Sequence, residues 1–381
     1  MKILYVCPTD PRETSYGGQQ RTHVIWKGLQ SVGEVWTVVP VPHKAMESRD
    51  EQNRIYKLCL ERRYSIGWFA QRLLKRLIPY WDCPWAYRWR ELHHQFSDVD
   101  VAVSRYIKMA AAFKLWKLAP LYVDGDDIHT LEFDLQTEEA GNGIRRRIQR
   151  FLLGRFQDRI YRKARVIWVP AKEQVGLLPQ YPFAYLPNIP CGTLPDYSKV
   201  LGDKNTLFFV GLMASEPNQV AIDWFLKSFW NQLKVDFPKL RLQVVGGGLP
   251  ESYRKAWAGF ADVEILGFQR DILPFYRNAL ALLTPMRIGM GSCIKVLEAL
   301  QIGRPVISTA QGLRGIQGQS RISQNGICEF SDYASLTAAI KLLQDPSRRL
   351  VAEEGARRFV GTYFSDGIIK DILWKDLEHA K

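Results

Sequence analysis

The chain of 381 residues is long enough for two or three domains, and its 46% hydrophobic and 24% charged residues are ordinary for a globular protein with a substantial core. Its six scattered cysteines form no C-x-x-C pair and no Cys/His spacing that suits zinc, which argues against a zinc site and favours a reduced, cytoplasmic setting. The formal net charge of +13 predicts an anionic partner, which is a membrane surface, a nucleic acid or a charged substrate.

The first predicted element is a short buried strand at residues 3–6, and the apolar run that contains it is too short for a signal peptide. Gly17 and Gly18 follow, then a predicted helix at 20–29 and a strand at 35–39. This βαβ order predicts a doubly wound domain. The glycine pair serves either a tight turn with positive φ or the close approach of a ligand.

Two segments combine arginines with apolar residues at helical spacing. Between residues 45 and 95 the apolar stripe comprises Ile66, Phe69, Leu73, Leu74, Leu77 and Ile78. A second basic helix is predicted at 144–165, and its apolar residues are Ile148, Phe151, Leu152 and Ile160. The first segment is either an ordinary surface helix or a helix that lies on an anionic bilayer. The second presents either a solvated basic face or arginines that contact the phosphates of a lipid or an acceptor. No nucleic-acid motif accompanies them, and no run of about 18 apolar residues predicts a membrane span.

Ionisable side chains follow the strand predicted at 121–123, at a strand end where catalysis in α/β proteins is common. Asp126, Asp127 or His129 could orient or deprotonate an acceptor hydroxyl, or contact a sugar. Alternatively, Asp126 or Asp127 caps the next helix. The pair Asp124-x-Asp126 also matches a D-x-D pattern that can hold a metal together with a nucleotide diphosphate, although a lone D-x-D has little specificity.

A proline-rich stretch at 181–203 predicts an interdomain linker. A second α/β unit begins with a strand that ends at Gly211, and its first helix opens at Pro217-Asn218. The later triple glycine, residues 246–248, does not satisfy G-x-G-x-x-G because Glu251 occupies the third glycine's place. This argues against a nicotinamide dinucleotide site.

Residues 279–315 predict a strand, a glycine loop, a helix and another strand. Ser292 is a good N-cap for that helix, and Gly303 ends it. Amides and the dipole at such a helix start favour an anion, and Arg287 and Lys295 flank it. Glu298, one turn later, suits the two adjacent hydroxyls of a ribose. The alternative is a surface ion pair between Lys295 and Glu298, with Arg287 solvated.

The same stretch resembles the donor-binding segment of family 4 glycosyltransferases of the GT-B fold, where P-x-R-x-G-x-G-x-x-x-K-V-L-E-A precedes G-x-P-V-[IV]-[ST]-T and G-x-x-G. The matching residues are Pro285, Arg287, Gly289, Gly291, Lys295, Val296, Leu297, Glu298, Ala299, Gly303, Pro305, Val306, Ser308, Thr309, Gly312 and Gly315. Two positions depart from the pattern. Met290 stands where many members carry a sugar-contacting glutamate, and Cys293 stands where an arginine is common.

The resemblance implies an α/β GT-B fold, in which two Rossmann-like doubly wound domains face each other across a cleft. It implies an acceptor-binding domain at 1–190, a donor-binding domain at 200–363, and a last helix at about 364–381 that packs back on the first domain. It implies transfer from a UDP- or GDP-sugar to a hydroxyl of a glycan or lipid-linked acceptor, with retention and without a metal. The implied setting is assembly of bacterial surface polysaccharide or glycolipid at the inner face of the membrane.

We therefore predict a catalytic set of Asp126, Asp127, His129, Arg287 and Lys295. The predicted donor-site residues are Gly17, Gly18, Gly211, Gly267, Phe268, Gly289, Met290, Gly291, Ser292 and Glu298. No metal ligand and no nucleic-acid partner are predicted. Two alternatives stay open: a nucleotide-sugar epimerase or hydrolase on the same fold, and a basic peripheral membrane protein with a vestigial donor site. The departures at Met290 and Cys293 motivate the second.

Overall fold

The computed structural model describes residues 1–41, 47–59, 88–137, 143–191, 202–289, 291–316 and 325–378. The chain divides into two compact units. The first unit comprises Met1–Cys191 and Asp366–Lys381, and the second comprises Gly192–Ser365. The apolar stripe predicted from Ile66 to Ile78 lies outside the described residues.

The first unit is built on an eight-stranded sheet. Its strands are β1 (Lys2–Val6), β2 (Glu34–Pro40), β3 (Ser48–Asp50), β4 (Ile55–Leu58), β5 (Val101–Arg105), β6 (Leu121–Asp124), β7 (Ala164–Val169) and β8 (Phe183–Tyr185). Their order is β3-β4-β2-β1-β5-β6-β7-β8, and every pair is parallel except β3 with β4. The central strands are buried along most of their length, as expected for a parallel sheet covered on both faces.

Helices connect these strands. They are α1 (Gly17–Val32), α2 (Trp89–Gln95), α3 (Ile107–Phe113), α4 (His129–Thr137), α5 (Ile144–Tyr161) and α6 (Lys172–Val175). Because β1 is flanked by β2 on one side and β5 on the other, the strand order reverses between β1 and β5. Doubly wound sheets bind ligands at the carboxyl ends of the strands beside such a reversal. The first unit therefore places its candidate site beyond the ends of β1, β5 and β6.

The second unit has a six-stranded sheet in which all pairs are parallel. Its strands are β9 (Thr206–Val210), β10 (Arg241–Val245), β11 (Val263–Gly267), β12 (Ala281–Thr284), β13 (Val306–Ser308) and β14 (Ile327–Glu329), in the order β11-β10-β9-β12-β13-β14. The reversal of strand order lies between β9 and β12. The candidate site of this unit is therefore expected beyond the ends of those two strands.

The helices of the second unit cover this sheet. They are α7 (Glu216–Phe225), α8 (Asn231–Asp236), α9 (Glu251–Trp257), α10 (Leu273–Asn278), α11 (Ile294–Ile302), α12 (Tyr333–Gln344) and α13 (Pro346–Tyr363). A π-helical turn, Leu226–Trp230, joins α7 to α8. The predicted stop of α11 at Gly303 is confirmed, since this residue is its left-handed C-cap with φ of 84°.

The last helix, α14 (Asp366–Glu378), belongs to the first unit and packs on α1. Its buried face carries Ile369 and Leu373, and a Cβ added to Gly28 of α1 would lie 2.6 Å from a Leu373 methyl carbon. The Trp168 indole also donates a 2.7 Å hydrogen bond to Asp376. Among the described residues, no helix has both the length and the apolar character needed to cross a bilayer.

Candidate functional site

Backbone approaches backbone closely where β9 and β10 end. Gly246 has φ of +146°, and a Cβ built on it would lie 1.7 Å from the Gly211 carbonyl oxygen. Only glycine combines that φ with that approach. The strand ends at Gly211 and Gly246 therefore form a surface of bare backbone, which is a suitable floor for a ligand that binds amides.

Lys295 of α11 places its ammonium against this floor. Its Nζ donates a 3.0 Å hydrogen bond to Asn218 Oδ1 and lies 4.2 Å from the centre of the Phe209 ring. A Cβ on Gly211 would come within 2.9 Å of the same Nζ, so a side chain at that position would displace the ammonium. Burial lowers the pKa of Lys295 below its usual value. The structure thus brings the predicted Lys295 and Gly211 together at the strand-order reversal.

Glu298 is held by a tyrosine that sequence reasoning did not identify. The hydroxyl of Tyr276 on α10 donates a 3.0 Å hydrogen bond to Glu298 Oε2. Tyr276 is 1% exposed and packs edge-on against Phe208. Burial and the neighbouring carboxylate raise the pKa of Tyr276, so the phenol stays protonated as a donor. Lys295 and Glu298 are thus held by partners within the unit, which favours a site over a solvated surface pair.

The glycine loop between β12 and α11 is fixed by the segment that follows β13. Gly289 and Gly291 both have positive φ, at 124° and 68°. Gln311 donates to the Gly289 carbonyl at 2.9 Å, and Arg314 donates to the Gly291 carbonyl at 3.1 Å. The predicted donor residue Met290 lies outside the described residues. The loop conformation therefore depends on contacts from about 22 residues further along the chain.

The helix after this loop begins one residue later than predicted. Its N-cap is Cys293, in extended conformation, and no side-chain capping hydrogen bond forms there. The predicted cap, Ser292, was wrong because the positive φ of Gly291 leaves two further residues outside the helix. A helix start without a side-chain cap suits an anion, whose oxygens accept from the first amides.

Arg287 contacts a different residue of α7 from the one that holds Lys295. It is exposed, and its guanidinium lies 4.8 Å from the centre of the Trp224 ring. Trp224 lies six residues along α7 from Asn218, a rise of about 9 Å. That both cations reach one diphosphate stays a prediction.

The predicted base-contacting loop lies at the end of β11. Gly267 has φ of 68°, and its carbonyl accepts from the Gly246 amide at 2.8 Å. Phe268 next to it is 74% exposed, and a Cβ on Gly247 would lie 3.4 Å from the Phe268 Cβ. An exposed aromatic ring at the edge of this floor is available for stacking.

In the first unit, two arginines and two aspartates form a cluster at the ends of β5 and β6. Arg21 of α1 contacts Asp124 at 2.6 Å, and Arg105 contacts the other Asp124 oxygen at 2.5 Å. Arg105 also binds Asp126 at 3.0 Å, while Arg21 lies 3.7 Å from it. Asn188 accepts a further 2.8 Å hydrogen bond from Arg21. Arg21, Arg105 and Asp124 are each at most 2% exposed.

Asp126 is the member of this cluster that reaches the surface, with 26% of its side chain exposed. Burial opposes its ionisation, but Arg105 and Arg21 outweigh burial, so the pKa of Asp126 lies below its usual value. Both its oxygens face arginines, so the capping role is excluded for Asp126. The amide of Thr130 in the first turn of α4 is instead bound by Gln157 at 3.1 Å.

These contacts do not fit the D-x-D alternative. Both oxygens of Asp124 accept hydrogen bonds from two buried guanidinium groups, and a metal ion would have to displace them. Within the part of the chain that the structure describes, no three His, Cys, Asp or Glu side chains converge as potential metal ligands. Asp124 is better explained as the counter-ion that fixes Arg21 and Arg105.

Two residues of this cluster have backbones that L residues seldom adopt. Tyr106, directly after β5, has φ of 71°, and Asp126, two residues after β6, has φ of 59°. Arg105 links them, because its second guanidinium nitrogen contacts both the Tyr106 hydroxyl, at 3.1 Å, and Asp126. Such outliers persist only where the surroundings over-determine them, and they concentrate at functional sites.

The glycine pair lies beside this cluster. Gly17 and Gly18 form the first turn of α1, and neither has positive φ, so the predicted tight turn was wrong. A Cβ on Gly18 would lie 3.4 Å from the Tyr106 hydroxyl. The other predicted residues are partly exposed, with Asp127 on the loop into α4 and His129 at the first position of α4. The structure thus places the glycines and the predicted acidic residues at one edge of the first sheet.

Sequence reasoning missed several residues of these sites: Arg21, Arg105, Tyr106, Tyr276, Gln311 and Arg314. Arg105 carries a signal that was available, because it is an ionisable residue at the carboxyl end of the apolar segment that forms β5, like the aspartates that were selected after β6. Tyr276 carries no such signal, since its role depends on a contact with a helix 22 residues away.

Comparisons with known proteins give a family for part of the chain and a fold for the whole. Residues 204–345 match the family described as "Glycosyl transferases group 1". No curated protein matches the chain in sequence. The match covers every strand of the second sheet and all the predicted donor-site residues except Gly17 and Gly18, which lie in the first unit.

Solved structures with a similar fold include sucrose-phosphate synthase from Thermosynechococcus elongatus, with a TM-score of 0.70, 15% identity and full coverage of both chains. Alr3699/HepE from Anabaena, in complex with UDP and glucose, has a TM-score of 0.64 and 13% identity, with 99% of each chain covered. The pneumococcal O-GlcNAc transferase GtfA, in complex with UDP and GlcNAc, has a TM-score of 0.57 and 15% identity, with 77% of this chain and 60% of that chain covered.

At these identities the structural matches establish the fold, whereas the sequence match establishes the family of the second unit. The expected α/β GT-B fold is confirmed. Residues 204–345 match the glycosyl transferases group 1 family, and the chain adopts the GT-B fold of the glycosyltransferases to which it is structurally similar.

Proposed function

We propose that the chain transfers a sugar from a nucleotide-diphospho-sugar to an acceptor hydroxyl, with retention of anomeric configuration and without a metal ion. The observation that carries this proposal is the pairing of Lys295–Asn218 with Glu298–Tyr276 at the strand-order reversal of the second unit. A cation and a carboxylate, each held by a neutral partner and separated by one turn of α11, match a diphosphate and a neighbouring ribose.

The donor diphosphate is proposed to bind at the uncapped start of α11. Its oxygens accept from backbone amides of the loop around Gly289, Gly291 and Ser292, and the Lys295 ammonium neutralises part of its charge. The ribose hydroxyls are assigned to Glu298, and the base to the loop at Gly267 and Phe268. Gly211 supplies the floor against which Lys295 is held.

Leaving-group stabilisation follows from the same contacts. When the glycosidic bond breaks, negative charge accumulates on the departing diphosphate. Fixed positive groups that face this charge in a partly buried site lower the barrier, which is the role that a metal ion has in other transferases. Lys295 is already fixed by Asn218, so its reorganisation during the reaction is small. We assign Arg287, whose guanidinium lies over the Trp224 ring, a supporting role in stabilising the leaving group.

The first unit is proposed to bind the acceptor, which we assign to residues 1–190, with donor binding assigned to 200–363. Asp126 stays ionised beside Arg105 and Arg21, so we assign it as a hydrogen-bond acceptor that orients the hydroxyl. A carboxylate with a lowered pKa is a poor general base. His129 and Asp127 are the remaining proposed contacts to the sugar or the acceptor.

The donor and the setting are the finer parts of this proposal. We assign a UDP- or GDP-sugar, and UDP is supported because two similar structures are complexes with UDP. We propose a glycan or lipid-linked acceptor and a role in bacterial surface polysaccharide or glycolipid assembly. None of the five described cysteines forms a disulfide, which supports a cytoplasmic setting, and the net charge of +13 supports peripheral association with an anionic membrane.

The test is calorimetric titration of the protein with UDP, GDP and ADP, followed by transfer assays with the matching sugars. One nucleoside diphosphate should bind tightly, and its sugar should be transferred in the presence of excess EDTA. Turnover of the nucleotide sugar without any acceptor would instead favour an epimerase or hydrolase. Absence of binding to all three nucleotides would contradict the proposal. The anomer of the product, read by NMR, tests retention.

A further inference from the structure

The outward face of α5 carries apolar side chains that its own unit does not bury. Ile144 is 79% exposed, Ile148 is 52% exposed and Phe151 is 62% exposed. Their spacing of four and then three residues places them on one face over two turns. A single exposed apolar residue needs no explanation, but three in contiguous helical positions form a patch.

The core-facing side of the same helix is a different set of residues. Leu153, Phe156 and Ile160 are buried, at 0%, 8% and 0% exposure. The single apolar face predicted from sequence was therefore wrong, because Ile160 faces the core while Ile148 and Phe151 face outward. The outward apolar residues are therefore separate from the buried face of α5. An ordinary surface helix would carry polar residues on its outward face.

Arginines continue this outward face towards the carboxyl end of α5. Arg155, Arg159 and Arg162 follow Phe151 at spacings of three or four residues, and all three are exposed. The Arg155 guanidinium lies 5.9 Å from the centre of the Phe151 ring, so the basic and apolar parts are contiguous. Asp158 is the acidic residue of this region, and it is engaged by Arg162 and by Tyr181 at 2.7 Å.

We propose that this outward face of α5 docks the protein on an anionic lipid bilayer. Ile144, Ile148 and Phe151 would enter the boundary between headgroups and acyl chains, while Arg155 and Arg159 would bind lipid phosphates. The combination of exposed apolar residues with a cationic continuation is what an interfacial helix requires. Nucleic acid would use the arginines but gives no reason for three exposed apolar side chains beside them.

This inference rests on the peripheral location proposed above and assigns the surface responsible for it. It does not depend on the donor chemistry, because α5 belongs to the first unit and the donor residues to the second. The length of α5, 18 residues, corresponds to about 27 Å along a membrane surface.

The experiment is co-sedimentation of the full chain with vesicles of phosphatidylcholine, with and without phosphatidylglycerol. Three variants are compared with the wild type: I148S/F151S, R155Q/R159Q, and the control V235S/V351S. The control removes two apolar residues that are 69% and 59% exposed elsewhere. UDP binding is measured for each protein and reports the donor site independently of lipid, and the thermal unfolding of each protein reports whether the first unit is folded.

We expect the wild type and the V235S/V351S control to sediment with the anionic vesicles and to stay in the supernatant with the neutral ones. Loss of the two arginines should weaken partitioning into anionic vesicles about thirtyfold. Loss of the two apolar residues should weaken it about tenfold or more. If both α5 variants bind anionic vesicles as the wild type does, the docking surface lies elsewhere and this inference fails. The proposed peripheral location at the membrane would not be contradicted by that result. If wild type ignores both kinds of vesicle, the peripheral location fails as well. If I148S/F151S differs from the wild type in oligomeric state without lipid, the outward face of α5 is a contact between two copies of the chain. That result would overturn the inference that this face docks on a bilayer.

Discussion

In both units, charged side chains lie at the carboxyl ends of strands near the reversal of strand order, but their partners differ. The partners are neutral groups in the second unit and opposite charges in the first. In the second unit, Lys295 is hydrogen-bonded to a neutral amide and Glu298 to a neutral phenol. In the first unit, Arg21 and Arg105 are neutralised by Asp124 and Asp126. This difference is what the proposed function expects, because its donor site must bind an anionic diphosphate and its acceptor site a ligand rich in neutral hydroxyls.

The largest expected effect is on the first unit. Arg105→Ala would leave the buried Asp124 with one partner fewer, and breaking a buried pair costs about 3–5 kcal/mol. Chemical denaturation should show this loss in the free energy of unfolding. The control Lys227→Ala removes an exposed cation that binds Asp223, and it should change stability by less than about 1 kcal/mol. Equal stability of both variants would mean that the cluster is not a structural ion network.

The next effect is on transfer. Lys295→Ala should lower kcat by about 10²–10³, because one fixed positive group facing the leaving group is lost. The measurement is steady-state transfer at saturating donor. Lys234→Ala is a matched control, since Lys234 is partly buried and paired with Asp262 in the same unit but belongs to no proposed site. Unchanged kcat in Lys295→Ala would remove this lysine from the catalytic set.

A smaller effect separates ribose binding from diphosphate binding. Tyr276→Phe removes the hydrogen bond to Glu298 without changing the ring, and should weaken UDP binding by about 1 kcal/mol, or about fivefold. If Glu298 binds the ribose diol, the variant should lose little affinity for 2′-deoxy-UDP. Calorimetry with the two nucleotides tests this. An equal loss for both would assign Tyr276 a purely structural role.

The smallest effect is a pH dependence of donor binding. The pKa of Lys295 is lowered in the free protein by burial, and a bound diphosphate would raise it again. Binding therefore takes up protons and weakens as pH rises through the free-protein pKa, by about twofold when pH equals that pKa. Titration of UDP affinity below the usual lysine range checks the sign. Affinity that rises with pH would contradict it, and Lys295→Arg should flatten the profile.

Much of the local structure followed from the order of residues alone. Gly303 was expected to end α11 because a left-handed cap admits glycine, and it does so with φ of 84°. The glycine loop before α11 and its lysine and glutamate were also recognised from spacing, since three residues on a helix return to the same face. These features depend on residues within one or two helical turns, so they can be predicted from a short stretch of sequence.

The partners of those residues were not available from such a window. Arg21 meets Asp124 across 103 positions, Lys295 meets Asn218 across 77, and Tyr276 meets Glu298 across 22. Ile148 and Ile160 read as one apolar face until packing placed one of them outward. The amino-acid sequence by itself determined the alternation of strands and helices and the chemistry beside the glycine loop. Only the tertiary structure decided which charges are neutralised and which face outward, because burial and pairing arise when distant strands bring their ends to one edge of a sheet.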